Sequence, residues 1–447
     1  TMQKRKKSKH YHITSFQIII LGFLSVILIG SLLLMLPIAT HSGNGASFSD
    51  ALFTATSAVC VTGLIIHDTA TYWSVFGQSI ILLLIQIGGM GIVTIAVSIA
   101  AVSGRKIGLM QRSTMQEAIA APNVGGIVRR TKFILKTAIS VELIGAAVLA
   151  PVFCRDFGFF KGIWYALFHS ISAFCNAGFD LIGAKKPFSS LTSYSVQPVV
   201  NITIMALIII GGIGFLTWED IKNNKWHFKK YRMQSKVILT VTGALILLPA
   251  IYFYFFEFSQ MPFAERVWTS LFQSVTPRTA GFNTADLTLM SEVGQMLMIM
   301  LMLTGGSPGS TAGGMKTTTL AVLVSSALSV FRKKEHTQFF KRRIPDNTIR
   351  NAATIFLMYV TLFLVGGMMI SGIEDIPLIT ALFETASAIG TVGLSLGITP
   401  ELGIISHMIL IFLMFFGRVG GLTLIFAAIS EKTSNGSKYP QEKITVG

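Results

Sequence analysis

Four short stretches of the chain follow one pattern: ALFTATSAVCVTGL (51–64), ALFHSISAFCNAGF (166–179), SLFQSVTPRTAGF (270–282) and ALFETASAIGTVGL (381–394). Each opens with Leu-Phe, runs through Ser, Thr and Ala, and closes on a small residue, Gly, and Leu or Phe. The Phe-to-Gly spacing is ten residues in the first, second and fourth and nine in the third, so the third turn is expected to be built differently. Acid–base or nucleophilic work is poorly served by such residues. Their useful chemistry lies in the backbone. A ring of carbonyl oxygens replaces the hydration shell of a bare potassium ion, and a glycine at the turn permits the positive φ that directs carbonyls inward. Short helices leading into the turns would aim their negative C-terminal ends at the same cation. One such triplet reads most simply as helix packing; four at matched positions do not.

The elements that must position these turns are legible in composition and charge. The chain has 447 residues, 52% hydrophobic and 13% charged, with a formal net charge of +16. This excludes a disordered chain, a disulfide scaffold and an ordinary cytosolic enzyme. Windows without Asp, Glu, Lys or Arg run over 13–49, 69–104, 187–218, 237–256, 351–373 and 402–417. Each is expected to hold a membrane helix, and the first is expected to be a retained helix rather than a cleaved leader. Bases cluster in the N-terminal tail (five), 105–132 (six), 222–236 (six), 332–350 (seven) and the C-terminal tail (three), while the intervening loops carry eleven acids against six bases. Bases mark the cytoplasmic side, which puts both termini there and argues against nucleic-acid binding.

Each repeated stretch lies between two apolar runs on the acid-rich side, too short to cross a bilayer and too apolar for an ordinary loop. A re-entrant half-helix followed by an extended turn fits. Gly-rich breaks follow at 87–91, 210–214, 304–314 and 416–421. The expected fold is an all-α polytopic membrane protein. Four helix–re-entrant half-helix–helix repeats surround a central pore in pseudo-fourfold arrangement, with eight transmembrane helices and four pore helices. The expected boundaries are 1–104 (N-terminal tail and repeat 1), 105–221 (repeat 2 with its basic loop), 222–333 (repeat 3), 334–430 (repeat 4) and 431–447 (C-terminal tail).

The four segments and basic loops resemble the Trk/Ktr/HKT superfamily of potassium transporters, most closely the bacterial Ktr membrane subunit. The resemblance covers about the whole chain. It implies a potassium-binding filter of Val61, Thr62 and Gly63; Asn176, Ala177 and Gly178; Thr279, Ala280 and Gly281; and Thr391, Val392 and Gly393. Thr391-Val392-Gly393-Leu394 is nearly the potassium-channel signature. Members that prefer sodium carry Ser at the first filter glycine, where this chain has Gly63.

Residues 305–314 carry five Gly, Pro308, Ser307, Ser310 and Thr311 in what would be the middle of a membrane helix. At about 1 kcal/mol per Gly this break costs a helix several kcal/mol, and broken backbone at that depth must be buried or line a cavity. The resemblance implies an intramembrane gate here: Gly305, Gly306, Ser307, Pro308, Gly309, Ser310, Thr311, Gly313 and Gly314. A phosphate loop is a poor fit, because Met315 interrupts the Gly-Lys-Thr spacing and no strand precedes it. Arg418, 25 residues after Gly393, is expected to face the cavity near this loop and raise the barrier to cations, or to bond loop carbonyls. Cys60 and Cys175 are expected to pack as small apolar groups behind the filter, and no transition-metal spacing occurs. Glu142 and Glu384 read as ion-path carboxylates or as hydrogen-bonded structural ones.

The function expected is regulated, channel-like potassium uptake across the plasma membrane, with sodium influence. The alternatives are symport of potassium with sodium or protons and, from another class, a membrane enzyme or scaffold. No cofactor is expected in this chain. The resemblance implies a homodimer, steadied by the C-terminal tail, and a cytosolic ring-forming subunit that binds ATP or ADP. Anionic lipids are expected at the basic face.

Overall fold

The structure, a computed structural model, describes residues 14–92, 94, 95, 109–119, 125–421 and 423. The expectations that concern the basic N-terminal tail and the C-terminal tail lie outside these residues. Helices dominate. In chain order they are α1 (Ser15–Leu34), α2 (Phe48–Val59), α3 (Val75–Met90), α4 (Leu109–Ile119), α5 (Ile127–Phe157), α6 (Phe159–Phe174), α7 (Pro198–Gly212) and α8 (Phe215–Asn224). There follow α9 (Met233–Tyr252), α10 (Phe263–Val275), α11 (Glu292–Leu303), α12 (Thr317–Phe331), α13 (Asp346–Glu374), α14 (Leu378–Ile389) and α15 (Ile404–Val419). One two-residue hairpin, β1 (Gln338–Phe339) with β2 (Arg342–Arg343), is antiparallel.

Among the described residues, four helices are long and apolar enough to cross a membrane: Ser15–Leu34, Ile127–Phe157, Met233–Glu257 and Asp346–Glu374. Only 28–33% of their apolar windows is buried inside the protein. Leu28, Ile29 and Leu32 of α1, Leu247 and Leu248 of α9, and Leu357 and Met368 of α13 lie exposed. An apolar band of this kind is stable against lipid and not against water.

Each long helix is followed by a short one: α2, α6, α10 and α14. The Phe of every repeated stretch (Phe53, Phe168, Phe272, Phe383) is fully buried, so the core of the molecule lies around these short helices. Ser47 caps α2 and Ser74 caps α3 by accepting from backbone N–H groups three residues on, which supplies partners for donors the helix leaves open.

The helices after the turns are shorter than the roughly 20 residues a full crossing needs. α3 has 16 residues, α7 has 15, α11 has 12 and α15 has 16. They stop at the Gly-rich breaks. Gly91, Gly214 and Gly420 adopt φ of 84°, 92° and 90° with ψ of 128°, 143° and 134°, a geometry that ends a helix and that a Cβ disfavours. At Gly214 the chain turns by 99° between α7 and α8.

Candidate functional site

The four turns after the short helices share one backbone conformation. Val61, Asn176, Thr279 and Thr391 have φ of 51°, 59°, 67° and 50°, and two residues later Gly63, Gly178, Gly281 and Gly393 have φ of 87°, 73°, 83° and 94°. Left-handed residues that are not glycine cost energy and persist only where the surroundings over-determine them. Here a serine does so. Six residues before the glycine, Ser57 accepts the Gly63 N–H at 3.0 Å and Ser387 the Gly393 N–H at 3.0 Å, while Ser172 Oγ donates to the Phe179 carbonyl at 2.7 Å. In the third turn, one residue shorter, Thr276 Oγ1 donates to the Phe282 carbonyl as Ser172 does to Phe179. It is built differently in its backbone: the Ala280 N–H reaches back four residues to Thr276 O, where Thr62, Ala177 and Val392 reach back five, to Ser57, Ser172 and Ser387.

The turns meet. A Cβ on Gly63 would lie 2.4 Å from the Ala177 oxygen, on Gly178 2.7 Å from Ala280 O, on Gly281 2.3 Å from Val392 O, and on Gly393 2.2 Å from Thr62 O. Each glycine therefore abuts the carbonyl preceding the next glycine, and the sequence of contacts closes from the fourth turn back to the first. A cavity of ≈ 330 Å³ opens on this ring, lined by all four glycines with Asp180, Ser395, Thr399 and Glu401. Asp180 sits in a loop beyond the second turn. Burial, with Asp68 close by, pushes its carboxyl up to about 7.

Outer segments of two turns are pinned by side chains nine residues before the glycine. His169 Nε2 accepts the Leu181 N–H at 3.2 Å, so Nδ1 carries the proton and donates to Tyr165 O at 2.7 Å. Glu384, fully buried, accepts from the Leu396 N–H at 3.1 Å, from Thr399 Oγ1 at 2.8 Å and from Ser395 Oγ. Its carboxylate is a structural bracket with no free face toward the ring. Glu142 is likewise held, accepting from Gln86 Nε2 at 3.1 and 3.3 Å. Cys60 and Cys175 are free and buried; Cys175 Sγ stands 3.6 Å from Gln86 Oε1.

Residues 304–316 form a folded loop between α11 and α12. It is tied to itself by Gly305 N–H to Met315 O (2.7 Å) and Gly306 N–H to Gly313 O (3.3 Å). It is tied to the second repeat by Ser307 N–H to Gly212 O (3.0 Å), Thr311 N–H to Gly211 O (3.3 Å) and Phe215 N–H to Gly309 O (2.6 Å), and to the fourth by Gly314 N–H to Gly417 O (3.0 Å). Pro308 lies beside Gly214 and Ser310 Oγ donates back to Ser307 O. The loop also touches the turns themselves: Thr311 Oγ1 lies 2.9 Å from Asn176 Oδ1 and 3.0 Å from Phe174 O, and a Cβ on Gly313 would meet Thr391. Lys316 Nζ donates to Ala312 O at 2.9 Å, closing the loop from its own end.

Arg418 joins three repeats. From the end of α15 its guanidinium donates to Thr311 O of the loop, to Gly88 O, and to Gly89 O at 3.1 Å. Among the described residues no carboxylate pairs with it. A guanidinium at this depth must find polar partners, and here backbone carbonyls of the loop and of the first repeat supply them.

Several of these partners escape a reading of the sequence. The Ser register at 57, 172 and 387 was available in the aligned stretches. The Asn176 side chain was not signalled, since its partner Thr311 lies in another repeat, and Lys316 was not, since it bonds backbone carbonyls of its own loop. Arg278, counted from the sequence among the outer loop bases, is buried behind the third turn, where its Nη2 donates to Thr242 Oγ1 at 3.2 Å.

The four turns, each abutting a carbonyl of the next, bring backbone oxygens rather than catalytic side chains together. The chain matches the TrkH family, described as cation transport protein, over residues 1–438, and it belongs to that family. It is 40% identical to the potassium/sodium uptake protein NtpJ of Enterococcus hirae over 99% of both chains. It is also 40% identical to the Ktr system potassium uptake protein B of Bacillus subtilis over the whole of both chains. Its fold matches the crystal structure of the potassium transporter TrkH from Vibrio parahaemolyticus with a TM-score of 0.73 at 20% identity, over 94% of this chain and 86% of that one. The protein is a membrane cation transporter and not an enzyme, because that is what its family does.

Proposed function

We propose that the chain is the ion-conducting subunit of a potassium uptake system, with the four turns as its selectivity filter. The observation that carries this reading is the closed ring of glycine-to-carbonyl contacts at Gly63, Gly178, Gly281 and Gly393. In this reading the carbonyls of Thr62, Ala177, Ala280 and Val392, with those of Val61, Asn176, Thr279 and Thr391, take the place of water around K+. The long helices and the broken helices make eight crossings, with α2, α6, α10 and α14 re-entrant. The five segments drawn from the sequence then correspond to the four repeats and the C-terminal tail.

The loop at 305–314 is the gate. Its bonds to Gly211, Gly212 and Gly417 hold it beneath the filter, and Arg418 adds a positive charge on the ion path. Opening requires those bonds to break together. That is work suited to a partner, and a cytosolic ring-forming subunit that binds ATP or ADP is the partner we infer, acting on a homodimer. The name of the Bacillus relative, a protein of a Ktr system, supports such an assembly. Both termini are assigned to the cytoplasm of a plasma-membrane protein by the distribution of bases, and anionic lipids are assigned to the same face.

A coupled symport is the second reading, favoured by the naming of the Enterococcus relative for potassium and sodium. Reversal potentials of purified protein in liposomes separate the two. A channel reverses at the potassium equilibrium value, and strict coupling moves the reversal away from it. Flux that survives Gly393→Arg in folded protein would refute the filter assignment.

A further inference from the structure

Two cavities on the base-rich side meet at the start of α9. One, of ≈ 390 Å³, is mainly apolar and runs between the ends of α9, α12 and α13, with Val237, Val322, Ile344 and Ala352 in its wall together with Pro308 of the gate loop. The other, of ≈ 290 Å³, is lined by Lys229, Lys230, Arg232, Lys236 and Arg342. Met233 lines both, and the hairpin β1–β2 contributes Phe339 to the first and Arg342 to the second.

The charge in the second cavity is unbalanced. Arg232 is neutralised by Glu219 at 2.8 Å and Asp220 at 2.9 Å. Among the described residues no carboxylate pairs with Lys229, Lys230, Lys236 or Arg342. Lys236 Nζ is held in place by donating to Lys229 O at 2.7 Å and lies 5.8 Å from the centre of the Phe340 ring. Four like charges gathered at one mouth call for an anion. An apolar groove continuous with that mouth calls for a hydrocarbon on the same molecule.

We propose that the two cavities are one site for an anionic phospholipid. Its phosphate sits among Lys229, Lys230, Lys236 and Arg342, and an acyl chain lies along the groove against Pro308. A soluble phosphate would use only the basic half, and a second copy of the chain would bring the same positive charge to the same place. The acyl chain touches the loop beside Gly309, whose carbonyl accepts from Phe215, so lipid occupancy biases whether the loop stays seated. This last step rests on the reading of 305–314 as the gate; binding itself does not.

The test uses the purified full chain and vesicles of phosphatidylcholine with increasing phosphatidylglycerol. Retained lipid is read by native mass spectrometry, and rubidium flux is read separately. Each base removed is expected to weaken retention roughly fivefold, so that K229Q/K230Q/R342Q loses on the order of 100-fold. Thr348→Phe, on an exposed position of the groove wall, is expected to abolish retention with every charge intact. Equal retention by both variants, or equally tight binding of glycerol phosphate, overturns the site. So does crosslinking of Thr348→Cys to a second copy in the membrane. Normal retention with flux indifferent to phosphatidylglycerol overturns the coupling to the loop. A wild-type chain that retains the lipid and conducts no ion even with its cytosolic partner bound would instead refute the transport reading.

Discussion

On the proposed reading of 305–314 as the gate, Thr311 is where the loop grips the second turn, and Thr311→Val isolates that grip. The hydroxyl is fully buried and lies within hydrogen-bond distance of Asn176 Oδ1 and Phe174 O. Valine fills the same space without the proton. The loop keeps its backbone bonds to Gly211, Gly212 and Gly417, so the change removes one bond and strands a buried acceptor, worth about 1–3 kcal/mol. Those contacts exist only while the loop is seated. The same energy therefore shifts the balance between seated and released loop, by about 5- to 150-fold at ~1.4 kcal/mol per tenfold. Rubidium uptake into liposomes holding the purified chain alone is the assay. Thr311→Val should leak by that factor until the open state saturates, and Thr311→Ser, which keeps the hydroxyl, should behave as wild type. A Thr311→Val protein with an unchanged melting transition and unchanged flux would refute the claim that this contact holds the gate.

Three further outcomes follow from the same geometry. Arg418→Gln removes a unit charge whose repulsion of a cation on the order of 6 Å away, at an effective dielectric of about 20, is about 3 kcal/mol; resting flux should rise by up to about 100-fold, and no rise in single-turnover efflux sinks the idea. Glu384→Ala leaves the Leu396 N–H and two hydroxyls without their buried acceptor, at about 1–3 kcal/mol for each group left unpaired. It should lower the melting temperature and shift the K+/Na+ reversal potential, with Glu384→Gln much milder. The Asp180 carboxyl is raised to about 7 from an ordinary value of about 3.9. Its contribution to stability is thus present at low pH and lost as pH rises through that window. External acidification through pH ~7 neutralises it, draws less cation to the mouth and lowers uptake at limiting K+; Asp180→Asn should flatten that dependence, and an unaltered pH profile would rule Asp180 out.

What was readable in the chain followed from repetition. Phe53, Phe168, Phe272 and Phe383 could be aligned by eye, and all four prove fully buried. The left-handed residues two before each glycine were marked only by their place in the pattern, because Val61 and Thr391 carry β-branched side chains that ordinarily avoid positive φ. The Gly-rich breaks at 87–91, 210–214, 304–314 and 416–421 were legible too, and α3, α7, α11 and α15 end at or beside them. Arg278 read as an outer base and is buried because the third turn folds back on α9.

The chain by itself determined its class, its membrane character and the four turns. Composition, charge placement and spacing are properties of segments, and each segment carries them alone. Only the tertiary structure decided which groups of distant repeats meet. Arg418 reaches Gly88 across 330 positions and Thr311 reaches Phe174 across 137. Such contacts join groups whose partners are backbone carbonyls, which every residue possesses and no sequence can single out. Bringing four turns to one point fixed which of those carbonyls stand opposite which donors.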